Sequence, residues 1–379
     1  MDIICFELKK IFNIKSIVLL VLINIIMYFL FIEFEVTHFP NGRPALNIYN
    51  MFVEMESEYG EFMDEEEFED FKIKYQEAIR KADEYIQSRE DFKSAGITNY
   101  EEFDNMDLTD KELDRLYNDV IFDKKIDVFW EIPWREEYIQ VYENKEQIMM
   151  AHATNEKQEA RINEILEKSL ETSVFNDVVF FNYNNLIKSV ATTILLSVMF
   201  IITPTYLRDN RNRINNLQYT SKTGRYIFKK KIISGLLASF ILVTLQIVLF
   251  FGLYSTNNTS MFFNCSINSI YNSIISWYDF TFMQYIILTV VGIYILAFVF
   301  TLISLLVSSI GQNYITVIGI QLPIALFTFK ILLKYLLYYI TDIRYPKYLL
   351  GFTYMGLIFI SIILIISRWK REKKVDVLY

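Results

Sequence analysis

Six uncharged, apolar runs, at positions 16–32, 189–207, 232–254, 285–309, 314–329 and 348–367, constrain this chain more than any other feature. Each approaches the roughly 20 residues a helix needs to cross hydrocarbon. A helix also satisfies its own backbone polar groups inside lipid. An apolar share of 53% alone would not separate this chain from a soluble protein. What separates it is the segregation of that share into charge-free runs. The expected fold is an all-α membrane protein with six transmembrane helices, the first an uncleaved anchor because bulky residues and Glu33 follow it where a cleavage site would need small ones.

Basic residues in short loops orient such a bundle. Lys9, Lys10 and Lys15 precede the first run, and Arg368, Lys370, Arg371, Lys373 and Lys374 follow the last. The 208–231 loop carries eight basic residues against one acid, Asp209. An even number of spans places all three clusters on one face, expected to be the cytoplasmic one. The chain then divides into an interfacial helix and first span (1–34), a large extracytoplasmic insert (35–185), spans two to six (186–367) and a basic tail (368–379). Cys5 and Cys265 fall on opposite sides and cannot pair. Lys330 and Lys334 lie on a segment, 331–340, too short to cross again, so a short interfacial or re-entrant helix is expected there. Pro323 is expected to kink the span before it.

The insert is acidic. Residues 33–187 contain 38 Asp and Glu against 16 Lys and Arg, a net charge of −22. Such a field attracts cations and cationic peptides, although acidity also serves simply to keep an exposed domain soluble. Phe68, Phe71, Tyr75, Ala78, Ile79, Ala82 and Ile86 recur at three- and four-residue steps, which predicts a long amphipathic helix over 64–92. Thr98 with Glu101, and Thr109 with Glu112, have the spacing of capping boxes. Pro133 is expected in the first turn of a third helical stretch, 134–170. Glu65, Glu66, Glu67, Glu69 and Asp70 lack the loop spacing of a calcium site and read as a solvated helix face.

Catalytic patterns are missing from the sequence. There is no Gly-x-x-x-x-Gly-Lys-Ser/Thr phosphate loop, and two histidines, His38 and His152, give neither a zinc spacing nor a triad. No enzymatic role, cofactor, metal or nucleic-acid partner is expected. Asn24, Gln246 and Gln321 are the main polar side chains within the runs, and no ionisable residue is available there for an ion relay. Bonding between helices is the expected use of such amides.

Two local stretches carry a resemblance. Phe6-Glu7-Leu8-Lys9-Lys10-Ile11-Phe12, then Lys15-Ser16 and a span, resembles the opening of type-2 ABC transporter permeases. Leu217-Gln218-Tyr219-Thr220-Ser221-Lys222-Thr223-Gly224-Arg225 resembles the loop that bacterial permeases of this kind place between their second and third spans. The resemblance extends to the plan of six spans, termini inside and a variable outer insert.

It implies a permease subunit of a bacterial plasma-membrane exporter, working as a dimer with a second copy or a homologous permease. A separate cytosolic ATPase would power alternating access for a hydrophobic substrate, a cationic peptide or a drug-like compound. The ATPase would rest on an amphipathic N-terminal helix over about 3–12 and a short coupling helix over about 210–228. The implied coupling residues are Phe6, Lys9, Lys10, Arg213, Leu217, Tyr219, Thr220, Lys222, Gly224 and Arg225. A basic loop here also fits ordinary attraction to anionic lipid. The alternative from another class is a membrane-anchored sensor or scaffold that binds a ligand through the insert.

Overall fold

The computed structural model describes residues 2–212, 214–220 and 224–374. Among these the chain is helical, with no strand and only two isolated bridges, Phe62 with Ser173 and Ser266 with Thr281. Six helices are long and apolar enough to cross a membrane: Ile14–Thr37, Asp177–Arg211, Gly224–Asn257, Phe282–Ile310, Tyr314–Tyr338 and Leu349–Glu372. The protein is thus a multi-pass membrane protein, and each helix matches one of the six apolar runs, the sixth run beginning at Tyr348, one residue before its helix.

The chain forms two compact units. One comprises Met1–Thr37, Asn182–Asn257 and Gln284–Tyr379; the other comprises His38–Phe181 and Asn258–Met283. In the membrane unit the second span is the most enclosed and the fourth comes next, while the first and sixth are largely open. Their open faces carry side chains such as Val18, Phe29, Phe352 and Phe359. Exposing such a surface to water costs about 25 cal/mol per Å²; lipid removes that cost.

Polar side chains tie the spans where apolar packing has no aqueous driving force. Gln246 of the third span donates to Asn24 Oδ1 of the first at 2.5 Å and to Ser197 Oγ of the second at 2.9 Å. The Thr203 hydroxyl donates to Gln321 Oε1 at 2.9 Å, and Ser239 meets Thr301 at 2.6 Å. Bonds of this kind contribute about 0.6 kcal/mol each.

The second span is interrupted at Thr203-Pro204, where a new helical segment, Pro204–Arg211, begins with proline in its first turn. The opening N–H groups of a helix have no partners within it. Ser308 of the fourth span answers this: its Oγ accepts from Tyr206 N at 3.1 Å and Leu207 N at 3.2 Å, and its proton goes to Thr203 O at 2.6 Å.

The fifth span corrects one expectation. Instead of a separate re-entrant helix, the helix Tyr314–Phe327 continues through Thr328–Leu332 and Lys334–Tyr338. Its turns there are widened, with Leu333 N bonding Thr328 O and Tyr339 N bonding Lys334 O, five residues back. Turns of this type add a residue without breaking the backbone ladder, so the segment carrying Lys330 and Lys334 extends the span.

The other unit is a helical body with a long helix, Glu65–Gln87, against Asp127–Glu143. Its core includes Ala82, Ile86, Phe92, Phe103, Val120, Phe129 and Ile132. Asp64 opens the long helix with a reciprocal capping box to Glu67. The two boxes expected from threonine sit elsewhere: the caps are Asn99, bonded to Glu102 N, and Asp110, bonded to Glu112 N. Each cap lies one residue beyond the expected threonine because the helices start at Tyr100 and Lys111. Pro133 lies inside Asp127–Glu143, not at its start, and the stretch after it divides into three helices ending at Glu143, Ala151 and Glu167.

Residues 258–283 join this unit although they come from the connection between spans three and four. Ser173 is the seam. It donates to Glu61 O at 3.0 Å, accepts from Ser266 N at 2.8 Å, and its carbonyl accepts from Ser269 Oγ at 2.6 Å. Arg161, almost fully buried, donates to Ser276 O at 3.0 Å and to Asp279 at 2.6 Å.

Candidate functional site

The end of the bundle that carries the termini contains the most concentrated buried charge in the membrane unit. The N-terminal helix, Asp2–Ile11, lies against the third-span helix. Its inward face is unusual in bearing Glu7 and Ile11, both buried, while Phe6 and Lys9 point outward. Lys10 reaches Asp209 Oδ1 at 2.5 Å and lies 3.6 Å from Glu7.

Asp209, near the end of the second-span helix, has no exposed surface. Its Oδ2 accepts from Lys231 Nζ at 2.6 Å and from Gln218 Nε2 at 3.0 Å. Lys231, at the start of the third span and 1% exposed, also donates to Gln218 Oε1 at 3.2 Å and lies 4.9 Å from the centre of the Tyr206 ring. Taking an ion from water into a protein interior costs several kcal/mol even after relaxation, and a lone one would not be retained. Two carboxylates, Glu7 and Asp209, balance two ammonium groups, Lys10 and Lys231. The formal charge is zero, and the Asp209–Lys231 pair is hydrogen-bonded on both sides.

Four segments meet here: the N-terminal helix, the end of the second span, the linking helix Ile214–Thr220, and the third span. Tyr206 adds a further tie from the second to the third, its hydroxyl donating to Phe228 O at 2.8 Å. Gln218 of the linking helix thus bonds to both spans, to Asp209 of the second and Lys231 of the third.

The linker has a distinct geometry. The second-span helix runs to Arg211, and among the described residues the expected 210–228 coupling helix is divided: Ile214–Thr220 is a short helix, Gly224–Tyr226 a single 3-10 turn, and the third-span helix starts at Ile227. Gly224 then takes φ +53°, a left-handed conformation that costs a residue with a Cβ about 1–2 kcal/mol. Arg225 donates to Lys373 O, which ties the start of the third span to the end of the sixth. Lys229 and Lys373 lie over the Trp369 ring at 4.0 and 3.8 Å.

The residues expected from sequence divide accordingly. Lys10 belongs to the buried cluster and Arg225 to the sixth-span tie. Phe6, Lys9, Leu217 and Thr220 are exposed on the same end of the unit. Arg213, Lys222 and the side chain of Tyr219 lie outside the described residues. Sequence reasoning passed over Asp209, Lys231, Glu7 and Gln218 as site residues. The available signal was Asp209 itself, the single acid among eight basic residues of the loop.

Among the described residues no group of three or more His, Cys, Asp or Glu is arranged to hold a metal ion. Set against protein-family models, curated proteins and solved structures, the chain matches none of them.

Proposed function

We infer that this protein is the permease subunit of an ATP-driven exporter, with the buried Asp209 cluster transmitting motion from a cytosolic ATPase to the spans. The observation that supports this reading most is the junction of four segments at one neutral ionic cluster. Gln218 of the short linking helix bonds to Asp209 of the second span and to Lys231 of the third, which gives a force applied to that helix a path to both spans.

Both termini would be cytoplasmic, in agreement with the three basic clusters. Two permeases would pair, and each would seat one ATPase on the N-terminal and linking helices. Alternating access would then carry a hydrophobic or cationic substrate outward across a bacterial plasma membrane. The chain would draw ATP hydrolysis from its partner, having no phosphate loop of its own.

Phe6 and Leu217 are 67% and 74% exposed and make little contribution to folding, so they report docking cleanly. Substituting both, as F6A and L217D, is expected to abolish ATPase retention and stimulated hydrolysis with membrane insertion unchanged. Retention equal to that of the unaltered protein would place the ATPase contact elsewhere. A sensor or scaffold would instead retain no ATPase and stimulate no hydrolysis in the unaltered protein.

A further inference from the structure

Two adjoining hollows, of about 710 and 560 Å³, mark the surface of the unit containing His38–Phe181. They share Glu65, Tyr142, Lys145 and Glu146, and so form one acidic groove. Its aromatic base is Phe68 stacked on Tyr142, with ring centres 4.1 Å apart and planes at 24°.

The groove already displays how it holds an ammonium group. Lys145 Nζ sits 3.7 Å from the Tyr142 ring centre and 3.0 Å from Glu65 Oε1. Lys72 Nζ sits 4.9 Å from the Phe68 ring centre and 2.6 Å from Glu69 Oε1. In both cases an aromatic face and a carboxylate share the cation, the arrangement used to recognise cationic ligands.

Glu171, in the wall of the larger hollow, is the unsatisfied member. It is 3% exposed, and its Oε2 is buried without a hydrogen-bond partner. Among the described residues of this unit no other carboxylate oxygen is left so. Burial pushes its carboxyl above the usual carboxylate range, against the pull of its own backbone N–H and of Lys145. A buried carboxylate oxygen with no hydrogen-bond partner is costly, and a cation that moves in beside it removes that cost. Half-exposed Phe62 and Leu166 supply apolar contact in the same wall.

We propose that this groove binds Lys or Arg side chains of a basic, partly apolar peptide, with Glu171 as the buried counter-ion and Phe62 against the apolar flank. The net charge of −22 over residues 33–187 would draw such a peptide in and hasten its encounter. The binding step involves this unit alone and does not depend on recruitment of an ATPase.

The test uses the full-length protein in phosphatidylcholine nanodiscs, without nucleotide or ATPase, at about 150 mM salt to screen long-range attraction. A fluorescent peptide of alternating Lys and Leu is titrated by anisotropy against empty nanodiscs. Saturable binding is expected, with E171Q weakening it about tenfold or more, the loss for one charge-assisted hydrogen bond. F62A, at a 38% exposed position, is expected to weaken it too. E77Q, on an exposed site outside the groove, is expected to stay within about twofold. A peptide with Gln in place of Lys should not bind. Should E171Q unfold, F62A decides alone. Equal losses in F62A and E77Q, or no saturable binding, would overturn the proposal.

Discussion

Asp209 holds two ammonium groups and one amide, so removing its charge leaves Lys231 buried without its counter-ion. Breaking one partner of a buried pair costs about 3–5 kcal/mol, whereas replacing both with well-packed apolar residues is often neutral. D209A is therefore expected to lower the thermal unfolding midpoint of the purified protein markedly, and D209L with K231M to recover most of it. Equal losses in the single and double variants would show that the pair is not coupled. The cluster was only partly legible in the sequence. Lys10 stood out as basic and near a span, but its partner lies 199 residues away, and no local pattern encodes that pairing. Asp209 itself was visible as an exception in a basic loop.

At the scale of elements, the spans were legible because a bilayer demands a length and an apolar composition that few other structures share. Ends and joins were less so. The widened turns after Phe327 preserve the backbone ladder, so Lys330 and Lys334 do not mark the break that their charges suggest. Residues 258–283 are rich in Ser and Asn, a composition usual in exposed loops, yet Ser266, Asn268, Ser269, Asn272 and Ser276 are buried. Ser173 and Arg161, far away in sequence, bond to Ser266, Ser269 and Ser276, while Asn268 and Asn272 bond within the segment. Burial alone would raise the Asp279 carboxyl, but hydrogen bonds from Lys168 and Arg161 outweigh it and hold it below the usual carboxylate range. A depressed folded-state value means that this stabilisation is complete above the ordinary Asp value, near 3.9, and is lost as pH falls through the lower one. Hydrogen exchange over residues 264–280 should therefore stay slow at pH 5 and quicken below about pH 4. No change across that interval would remove the ion pair from the account of how this segment is held.

For the whole molecule, the two cysteines report orientation and burial together. Cys5 is exposed on the N-terminal helix, whereas Cys265 is buried and its thiol is pushed up to about 12, first by burial and then by Glu56 and Glu61. A membrane-impermeant maleimide at pH 8 is expected to leave intact cells unlabelled and to modify Cys5 once they are permeabilised, with Cys265 reacting only after unfolding. Labelling of Cys5 in intact cells would reverse the proposed orientation. The plan of six spans and an acidic insert could be read from charge and hydropathy. The contribution of the connection between spans three and four to the unit containing His38–Phe181 could not, because it depends on contacts between segments nearly a hundred residues apart, such as Ser173 with Ser266. The central claim is that the end of the bundle bearing the termini seats a separate ATPase. It is tested most directly by isolating the tagged protein from its native membranes in mild detergent, identifying what remains bound, and assaying ATP hydrolysis. The account predicts a phosphate-loop ATPase in equimolar amount, with hydrolysis lost in F6A/L217D; isolation of the intact, folded protein with no ATPase bound would contradict it.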